Sequence, residues 1–326
     1  MKYAYINEVE YFLPLKKENN LKFLTQIGKN ERASKKIINK IGIKNRRIAE
    51  KNIYSNDLAI KSAKKVLKRL NKQSIDFLIY CTQTPDYLIP TNACILQNQL
   101  KLKKQIGAFD INLGCSGYVY SLSIAKSLII SGQAKNILLI TSDTYSKFIK
   151  KNDLTTRLIF SDSSTSTLIS SKKTKGSYRI LNSTYGTDGS GHKDFILKNF
   201  GTKFKDKPIK DDNYIKMDGA SIFNFTLKEI PKAIDYFLRK SNLKLNKIDH
   251  FIFHQANEFI IENLQKKMKI LKRKVIIDVK DIGNTVSGTI PIVLNKHQKK
   301  FRNGSHILLV GFGVGLSWGI TLVKKN

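Results

Sequence analysis

Short apolar runs of strand length alternate with amphipathic stretches of helix length along most of the chain. In the first half, this pattern predicts strands at about 3–9, 77–81, 108–112 and 137–141, and helices at about 56–70, 91–100 and 116–131. In the second half, it predicts a strand at 248–253, helices near 221–239, 258–268 and 288–301, and a final hairpin of 307–310 with 317–323. Such alternation is typical of an α/β protein.

The second half of the chain repeats the first. Residues 75–81 recur as 248–254, each copy following a basic amphipathic stretch, and the run 135–140 recurs as 305–310. A period this long is too large for a solenoid unit, so we predict a duplicated α/β module.

Matching positions in the two copies carry side chains that could take part in a reaction. Gly114 and Cys115 lie almost the same distance before their strand as Gly283 and Asn284 lie before theirs. We therefore predict an N-terminal half at 1–171 with a nucleophilic cysteine and a C-terminal half at 218–326 with a histidine and an asparagine. The Gly-, Ser-, Lys- and Asp-rich segment 172–217 is predicted to be an insertion of strands and loops near an entrance.

Length and composition support a globular protein. The chain has 326 residues, 41% of them hydrophobic, and contains no run of about 18 uncharged apolar residues. Its first residues are typical of a strand rather than of a signal peptide. We expect a cytoplasmic protein with no membrane association. The three cysteines have no CxxC spacing and no neighbouring histidine, so neither a disulfide framework nor a metal site is expected.

The charge is strongly basic, with 58 Lys+Arg against 25 Asp+Glu and a net charge of +33. One interpretation is an acidic partner, such as nucleic acid or an acidic carrier protein, attracted over long distances. The other is compositional bias, because Lys, Ile and Asn are abundant throughout. The lysines are spread along the chain without a nucleic-acid-binding module, so we do not expect nucleic acid to be the ligand.

Cys115 lies in the sequence NLGCSGY at 112–118, where a predicted strand turns into a predicted helix. A Gly-flanked turn there would place the sulfur at a helix N-terminus, where the dipole and free N–H groups favour the thiolate. This predicts a nucleophile. A buried cysteine packed under the helix is the alternative, and the match between Cys115 and Asn284 argues against it.

His254 and Asn284 follow apolar runs in the second half. A neutral imidazole at His254 could donate an N–H to a thioester oxygen, and the Asn284 amide is a donor that does not titrate. Together they could stabilise an enolate or oxyanion. Taken separately, each residue also fits a core histidine or an ordinary turn.

The segment VGFGVGLSWG at 310–319 is rich in glycine. A phosphate loop is one interpretation, but no Lys-Ser/Thr follows and the segment leads into a strand. An oxyanion hole fits better, with the backbone N–H groups of Cys115 and Val314 as the two donors.

These residues resemble the β-ketoacyl-acyl-carrier-protein synthase III family of the thiolase superfamily. The resemblance covers nearly the whole chain and rests on IGI at 41–43, RRI at 46–48, TPDY at 84–87, GCSG at 114–117, HQAN at 254–257, GNT at 283–285 and GVGLSWG at 313–319. It implies a five-layered αβαβα thiolase-like fold of two duplicated halves, a homodimer, and a catalytic triad of Cys115, His254 and Asn284. In this family no cofactor is permanently bound.

The resemblance also implies a reaction. Cys115 would be acylated by an acyl-CoA or acyl-carrier thioester, and the acyl group would then be joined to malonyl-carrier protein by decarboxylative Claisen condensation. His254 and Asn284 would assist the decarboxylation and stabilise the enolate. An acidic acyl carrier protein is the implied partner, with Lys266 and Lys267 as contacts.

Other positions concern the substrate. The acyl pocket is expected to include Ile89, reaching across the dimer, together with Phe160 and Phe312. The tryptophan and arginine that hold the adenine of coenzyme A in the family match Lys36 and Leu154. This departure leads to the hypothesis that the donor is a carrier-protein thioester or an unusual coenzyme A ester. The length of the acyl chain and the pathway are not determined by these residues.

Two other functions are compatible with the sequence. The first is an acyltransferase that delivers the Cys115-bound acyl group to an oxygen or nitrogen nucleophile, as in specialised metabolite or surface-glycan assembly. The second is a non-catalytic protein that binds anionic partners through its charge. The intact triad argues against the second.

Overall fold

The computed structural model describes residues 2–204 and 213–326. Its strands are Tyr5–Phe12 (β1), Lys17–Asn19 (β2), Asn45–Arg47 (β3), Phe77–Cys81 (β4), Gly107–Ile111 (β5), Asn136–Asp143 (β6), Ser163–Ser170 (β7), Tyr178–Thr187 (β8), Phe195–Ile196 (β9), Lys216–Met217 (β10), His250–Phe253 (β11), His306–Gly313 (β12) and Ser317–Lys325 (β13).

The α-helices are Asn20–Gln26 (α1), Glu31–Ile41 (α2), Ser55–Leu67 (α3), Asn92–Gln99 (α4), Gly117–Ile130 (α5), Leu154–Arg157 (α6), Gly219–Lys240 (α7), Glu258–Lys267 (α8) and Thr289–Lys296 (α9). Short 3₁₀ helices cover Lys72–Ser74, Tyr145–Phe148, Gly189–Gly191, Thr202–Phe204, Leu245–Lys247, Lys272–Lys274, Val286–Gly288 and Gln298–Lys300.

The strand order confirms the duplication. In the N-terminal half, β4 is parallel to β5 and β6, whereas β6–β7 and β7–β1 are antiparallel. In the C-terminal half, β11 is parallel to β12, whereas β12–β13 and β13–β8 are antiparallel. A parallel bridge between Phe251 and Val275 occupies the position that β5 has in the first half. The two halves join through the β1–β8 pairing of Tyr5 with Arg179 and Ile6 with Tyr178.

Alternating side chains on the strands distribute the core into layers. On β6, Ile137 and Leu139 face the central helices α5 and α9, whereas Leu138 and Ile140 face α3 and α4. On β12, the same alternation directs Ile307 inward and Leu308 toward α7 and α8. Both faces of these strands are covered, and the strands β4, β11 and β12 are accordingly apolar along most of their length. This confirms the predicted αβαβα arrangement.

The segment 172–217 differs in part from the prediction. Tyr178–Thr187 lies in the predicted insertion but is the ten-residue strand β8 of the main sheet, paired with both β1 and β13. Its sequence YRILNSTYGT has no apolar alternation after Leu181, so hydrophobic patterning does not predict a strand there. The short strands β9 and β10 pair with each other in the rest of the segment. Residues 205–212 lie outside the described residues, and the position of an entrance here stays a prediction.

Candidate active site

Three turns, two of which follow strands, place the predicted triad around one cavity. Cys115 lies between β5 and α5, His254 directly follows β11, and Asn284 precedes the 3₁₀ turn that leads into α9. All three line the same cavity and are buried, with 4%, 2% and 3% of their surfaces exposed. The duplicated topology explains the convergence, because α5 and α9 are equivalent central helices and Cys115 and Asn284 precede them.

Hydrogen bonds fix the orientation of His254 and Asn284. The backbone N–H of Val286 donates to Asn284 Oδ1 at 2.8 Å, which leaves the Asn284 Nδ2 group 3.3 Å from His254 Nε2. On the other side of the ring, His254 Nδ1 lies 2.8 Å from Thr289 Oγ1. The Thr289 hydroxyl in turn donates to the Val286 carbonyl at 3.1 Å. In this arrangement Nδ1 carries the proton and Nε2 is free to accept one.

His254 is uncharged at neutral pH. Burial lowers the pKa of its imidazole to about 3, opposed weakly by the Val286 carbonyl. A neutral imidazole can act as a base toward a thiol, or as an N–H donor in its other tautomer, without a fixed charge next to the substrate.

The environment of Cys115 differs from the prediction of a stabilised thiolate. Burial, with a smaller contribution from the Asp143 carboxylate, raises the pKa of the Cys115 thiol to about 12. The backbone N–H groups of Cys115 and Val314 both face the sulfur and lower the pKa, but desolvation outweighs them. The nucleophile is therefore a thiol at neutral pH and needs a base when it reacts.

The glycine-rich bend at the end of β12 runs directly against the sulfur. A Cβ atom added at Gly313 would lie 2.9 Å from Cys115 Cβ and 3.0 Å from Cys115 Sγ. Only glycine leaves room there for an acyl group and lets the Val314 N–H reach the reacting atoms. The two N–H groups that the sequence analysis selected are thus adjacent in the fold.

The cavity around Cys115 is mainly apolar. Phe160 and Phe312 line it, together with Phe195, Ile222 and Ile260. That Phe160 and Phe312 hold an acyl group stays a prediction. Ile89 does not line it, because its side chain is 89% exposed on the loop before α4. Its pocket role across a dimer stays a prediction. Lys266 and Lys267 are exposed in the last turn of α8.

Asp143 is a buried carboxyl group beside the site that the sequence analysis did not select. Its oxygens accept hydrogen bonds from the Gln83 N–H at 2.8 Å and the Ser287 hydroxyl at 2.9 Å. Burial raises its pKa to about 7, opposed by these hydrogen bonds. Since Asp143 ends β6 and Ser287 precedes α9, the contact joins the two halves.

Thr289, Tyr145 and Phe195 were also missed. Thr289 contacts His254 from the first turn of α9, and the two aromatic residues pack in the same buried cluster as Cys115. Thr289 follows Asn284 closely in the chain, at the start of the predicted helix, so its position in the sequence could have indicated a place near the site. Nothing in the local sequence indicates the positions of the two rings.

Over the described ranges, no three His, Cys, Asp or Glu side chains are grouped so that they could hold a metal ion. No helix in the same ranges is long and apolar enough to cross a membrane.

Family models match both halves of the chain. The one described as 3-oxoacyl-[acyl-carrier-protein (ACP)] synthase III matches residues 109–189. The one described as the C-terminal part of 3-oxoacyl-[acyl-carrier-protein (ACP)] synthase III matches residues 238–325. Cys115 falls within the first match, and His254 and Asn284 fall within the second.

Comparisons over most of the chain find proteins of the same description as the family models. The chain is 37% identical to a β-ketoacyl-[acyl-carrier-protein] synthase III of Clostridium perfringens over 83% of this chain and 84% of the relative. It is 33% identical to a protein of the same name from Neisseria meningitidis over 99% of this chain and all of the relative. A crystal structure of a 3-oxoacyl-(acyl-carrier-protein) synthase III superimposes with a TM-score of 0.91 at 36% identity, covering 99% of both chains.

Proposed function

The chain belongs to the 3-oxoacyl-[acyl-carrier-protein] synthase III family, and from this premise we propose how its residues perform the reaction. It is an acyl-transferring condensing enzyme of the β-ketoacyl-acyl-carrier-protein synthase III type. The observation that carries the assignment of roles is that Cys115, His254 and Asn284 line one buried, mainly apolar cavity.

In the first half-reaction, Cys115 takes the acyl group from a thioester. His254 Nε2 accepts the thiol proton as the sulfur attacks the acyl carbon, and the same proton passes to the departing thiolate. The N–H groups of Cys115 and Val314 stabilise the negative oxygen of the tetrahedral intermediate. The high pKa of the thiol and the neutral imidazole support a proton transfer during attack rather than a preformed ion pair.

In the second half-reaction, a malonyl thioester bound to the acylated enzyme loses carbon dioxide. The bond to the carboxylate breaks and its electron pair forms an enolate, whose oxygen accepts hydrogen bonds from His254 Nε2–H and Asn284 Nδ2–H. The enolate carbon then attacks the acyl carbon, the bond to the Cys115 sulfur breaks, and the departing thiolate takes up one proton from solvent, which the overall reaction consumes. Here His254 needs the opposite tautomer, with its proton on Nε2.

The Thr289 hydroxyl supports both tautomers. When it donates to the Val286 carbonyl, its oxygen accepts Nδ1–H of His254, and when it rotates to donate to Nδ1, the proton resides on Nε2. A rotatable hydroxyl therefore allows one imidazole to act as base in the first half-reaction and as donor in the second.

The donor of the acyl group is proposed to be a carrier-protein thioester or an unusual coenzyme A ester. Lys36 is exposed on α2 and offers no aromatic face to an adenine. Arg157, the nearest guanidinium to Leu154, is bound to Glu18 at 2.7 Å and lies over the Phe23 ring at 4.8 Å. Faster acylation by acyl-coenzyme A than by the matched acyl-carrier protein would contradict this proposal.

Three further points stay predictions. They are the homodimer, the acidic carrier-protein partner with its contacts at Lys266 and Lys267, and the cytoplasmic location.

Intact-protein mass spectrometry tests the residue roles. The protein is incubated with an acyl thioester and then with malonyl-carrier protein. We expect an acyl adduct that malonyl-carrier protein discharges as a β-ketoacyl product. Cys115→Ala should give no adduct, and Asn284→Ala should be acylated but should discharge the adduct slowly.

The outcomes separate the alternatives. An adduct that malonyl-carrier protein does not discharge would favour transfer to an oxygen or nitrogen nucleophile. An adduct that persists in Cys115→Ala would overturn the assignment of the nucleophile. An Asn284→Ala variant that discharges at the wild-type rate would remove Asn284 from the reaction.

A further inference from the structure

One fully buried charge of the fold has no role in the proposed reaction. Arg46, from the RRI sequence of β3, has 0% of its surface exposed. Its three side-chain nitrogens donate hydrogen bonds to Asn20 Oδ1 at 3.0 Å, the Phe160 carbonyl at 3.3 Å and Glu18 Oε2 at 2.7 Å. Burial lowers the pKa of Arg46 to about 10, so the guanidinium stays charged at neutral pH. A buried charge is costly unless it is paired, and these bonds hold the guanidinium in one orientation.

The carbonyl that Arg46 binds belongs to the segment that holds the backbone of Asn284. The Asn284 N–H donates to the Ile159 carbonyl at 2.9 Å, and the Ser161 N–H donates to the Asn284 carbonyl at 2.8 Å. Phe160 and Asn284 thereby form a parallel bridge. The contact of Arg46 with the Phe160 carbonyl therefore lies between the two residues that fix Asn284.

Two further contacts join Arg46 to the same part of the fold. Asn20, whose Oδ1 accepts from Arg46, donates through Nδ2 to the Leu158 carbonyl at 2.8 Å. The aliphatic part of Arg46 lies against Gly283, where an added Cβ atom would be 3.4 Å from Arg46 Cγ. Arg46 thus supports both the segment 158–161 and the turn that precedes Asn284.

Glu18 holds the arginine from the other side. It lies opposite Arg46 in the β2–β3 pairing, and its Oε2 accepts hydrogen bonds from Arg46 Nη2 and Arg157 Nη2, both at 2.7 Å. Arg157 is the last residue of α6, and the segment 158–161 follows it directly. Hydrogen bonds between charged groups are stronger than those between neutral groups. One carboxylate therefore connects Arg46 with the helix from which the supporting segment starts.

We propose that Arg46 and Glu18 are positioning residues for Asn284. Through the Phe160 carbonyl, they hold the Asn284 amide at the place where the enolate oxygen forms. This inference rests on the proposed function, in which Asn284 acts in the second half-reaction and not in the first. A disturbed network should therefore slow decarboxylation and leave the acylation of Cys115 nearly unchanged.

The variants Arg46→Lys and Glu18→Gln test the proposal. Lysine keeps the charge but lacks the rigid fork of nitrogens, and glutamine keeps the shape but removes the negative charge. In both variants we expect kcat for carbon dioxide release from malonyl-carrier protein by the acylated enzyme to fall about tenfold or more, with little change in KM. Acylation of Cys115 by the acetyl thioester of N-acetylcysteamine, a small thiol that needs no carrier recognition, should stay within about threefold of the wild type.

Arg69→Lys is the matched control. The Arg69 guanidinium also forms an ion pair network, with Glu8 at 2.8 Å and Glu10 at 3.4 Å, but these partners lie on β1. The same substitution there should leave both half-reactions at the wild-type rate.

A double-mutant comparison separates positioning from a general loss of structure. If Arg46 acts through Asn284, Arg46→Lys added to Asn284→Ala should change the decarboxylation rate by less than about twofold. Glu18→Gln added to Asn284→Ala should behave in the same way. A purely structural effect would slow decarboxylation by the same factor in both backgrounds.

The proposal is overturned by three results. The first is a wild-type decarboxylation rate in both Arg46→Lys and Glu18→Gln. The second is an equal fall of acylation and decarboxylation in the variants, and the third is the full effect of either substitution in the Asn284→Ala background. If Arg46→Lys melts below the assay temperature, Glu18→Gln decides alone. A wild type that is not acylated at Cys115, or that releases no carbon dioxide, would instead contradict the proposed function.

Discussion

At the scale of single residues, burial decides the protonation of both titratable groups in the site. Desolvation raises the pKa of Cys115 to about 12 and lowers that of His254 to about 3. Both groups are therefore neutral near pH 7, and the N–H groups at the sulfur do not reverse this. The hydrogen bonds around the imidazole then matter more than charge, because they decide which ring nitrogen carries the proton.

Thr289→Val tests that dependence. Valine has nearly the shape of threonine but removes the partner of His254 Nδ1, and an unpaired buried donor costs about 1–3 kcal/mol. We expect kcat for decarboxylation of malonyl-carrier protein to fall about tenfold or more, with little change in KM. The rate is measured as carbon dioxide release by the acylated enzyme.

Thr289→Ser is the matched control for this prediction. Serine keeps the hydroxyl and should retain kcat within about threefold if it pairs with Nδ1 as threonine does. Equal kcat values for Thr289→Val and the wild type, at similar melting temperatures, would show that Thr289 does not position His254.

A site residue could be predicted from the sequence when its neighbours in the chain determine its position. Cys115, His254 and Asn284 each follow an apolar run that is visible in the sequence, and the internal repeat relates two of them. Tyr145 and Phe195 lie in a 3₁₀ turn and a two-residue strand, and only the tertiary fold brings them to the sulfur. No periodicity or motif carries that information.

At the scale of elements, β7 shows where hydrophobic patterning fails. Its sequence SSTSTLIS is mostly hydroxylated, yet every residue is buried. Several of the hydroxyl groups pair inside the fold: Thr165 with Thr141 at 2.8 Å, and Ser62 with both Ser164 and Ser166 at 2.7 Å. Satisfied hydroxyl groups can be buried at small cost, so a central strand need not be apolar. The strands β4, β6, β11 and β12 are predicted from the sequence because apolar side chains form most of each run.

The contact between β6 and the turn before α9 predicts a pH-dependent stability. The pKa of Asp143 is about 7 in the folded protein, whereas an exposed aspartate titrates near 4. A carboxyl group whose pKa is raised by folding stabilises the fold while it is protonated, and this stability is lost as pH rises toward the folded pKa. The amide in Asp143→Asn cannot ionise, so the free energy of unfolding of this variant should not decrease for this reason as the pH rises.

The measurement is urea unfolding of Asp143→Asn and the wild type from pH 5 to pH 8. The free energy of unfolding of the variant minus that of the wild type should increase by about 2 kcal/mol between pH 5 and pH 7 and little above pH 8. Asp235→Asn, at an exposed position of α7, serves as the control with a nearly constant difference. A constant difference for Asp143→Asn would mean that Asp143 is ionised throughout this range.

At the scale of the whole molecule, the net charge of +33 attracts any acidic partner. Such a field acts over long distances only at low ionic strength, because the Debye length is about 8 Å at 0.15 M salt. At physiological salt, only lysines close to a bound carrier protein still contribute. At physiological salt, a lysine that contacts the carrier protein can therefore be distinguished from the other basic residues by its position on the surface.

Lys266→Glu/Lys267→Glu tests the predicted contact on α8. We expect KM for malonyl-carrier protein at 0.15 M salt to rise about fivefold or more, with kcat and the acylation of Cys115 by N-acetylcysteamine thioesters unchanged, because the site itself is intact. Lys64→Glu/Lys68→Glu, at one exposed position in α3 and one directly after it, changes the net charge equally and is the matched control. At low salt both variants should weaken binding, since both reduce the long-range field. If the two variants raise KM equally at 0.15 M salt, carrier recognition depends on total charge, and the assignment of Lys266 and Lys267 as contacts is wrong.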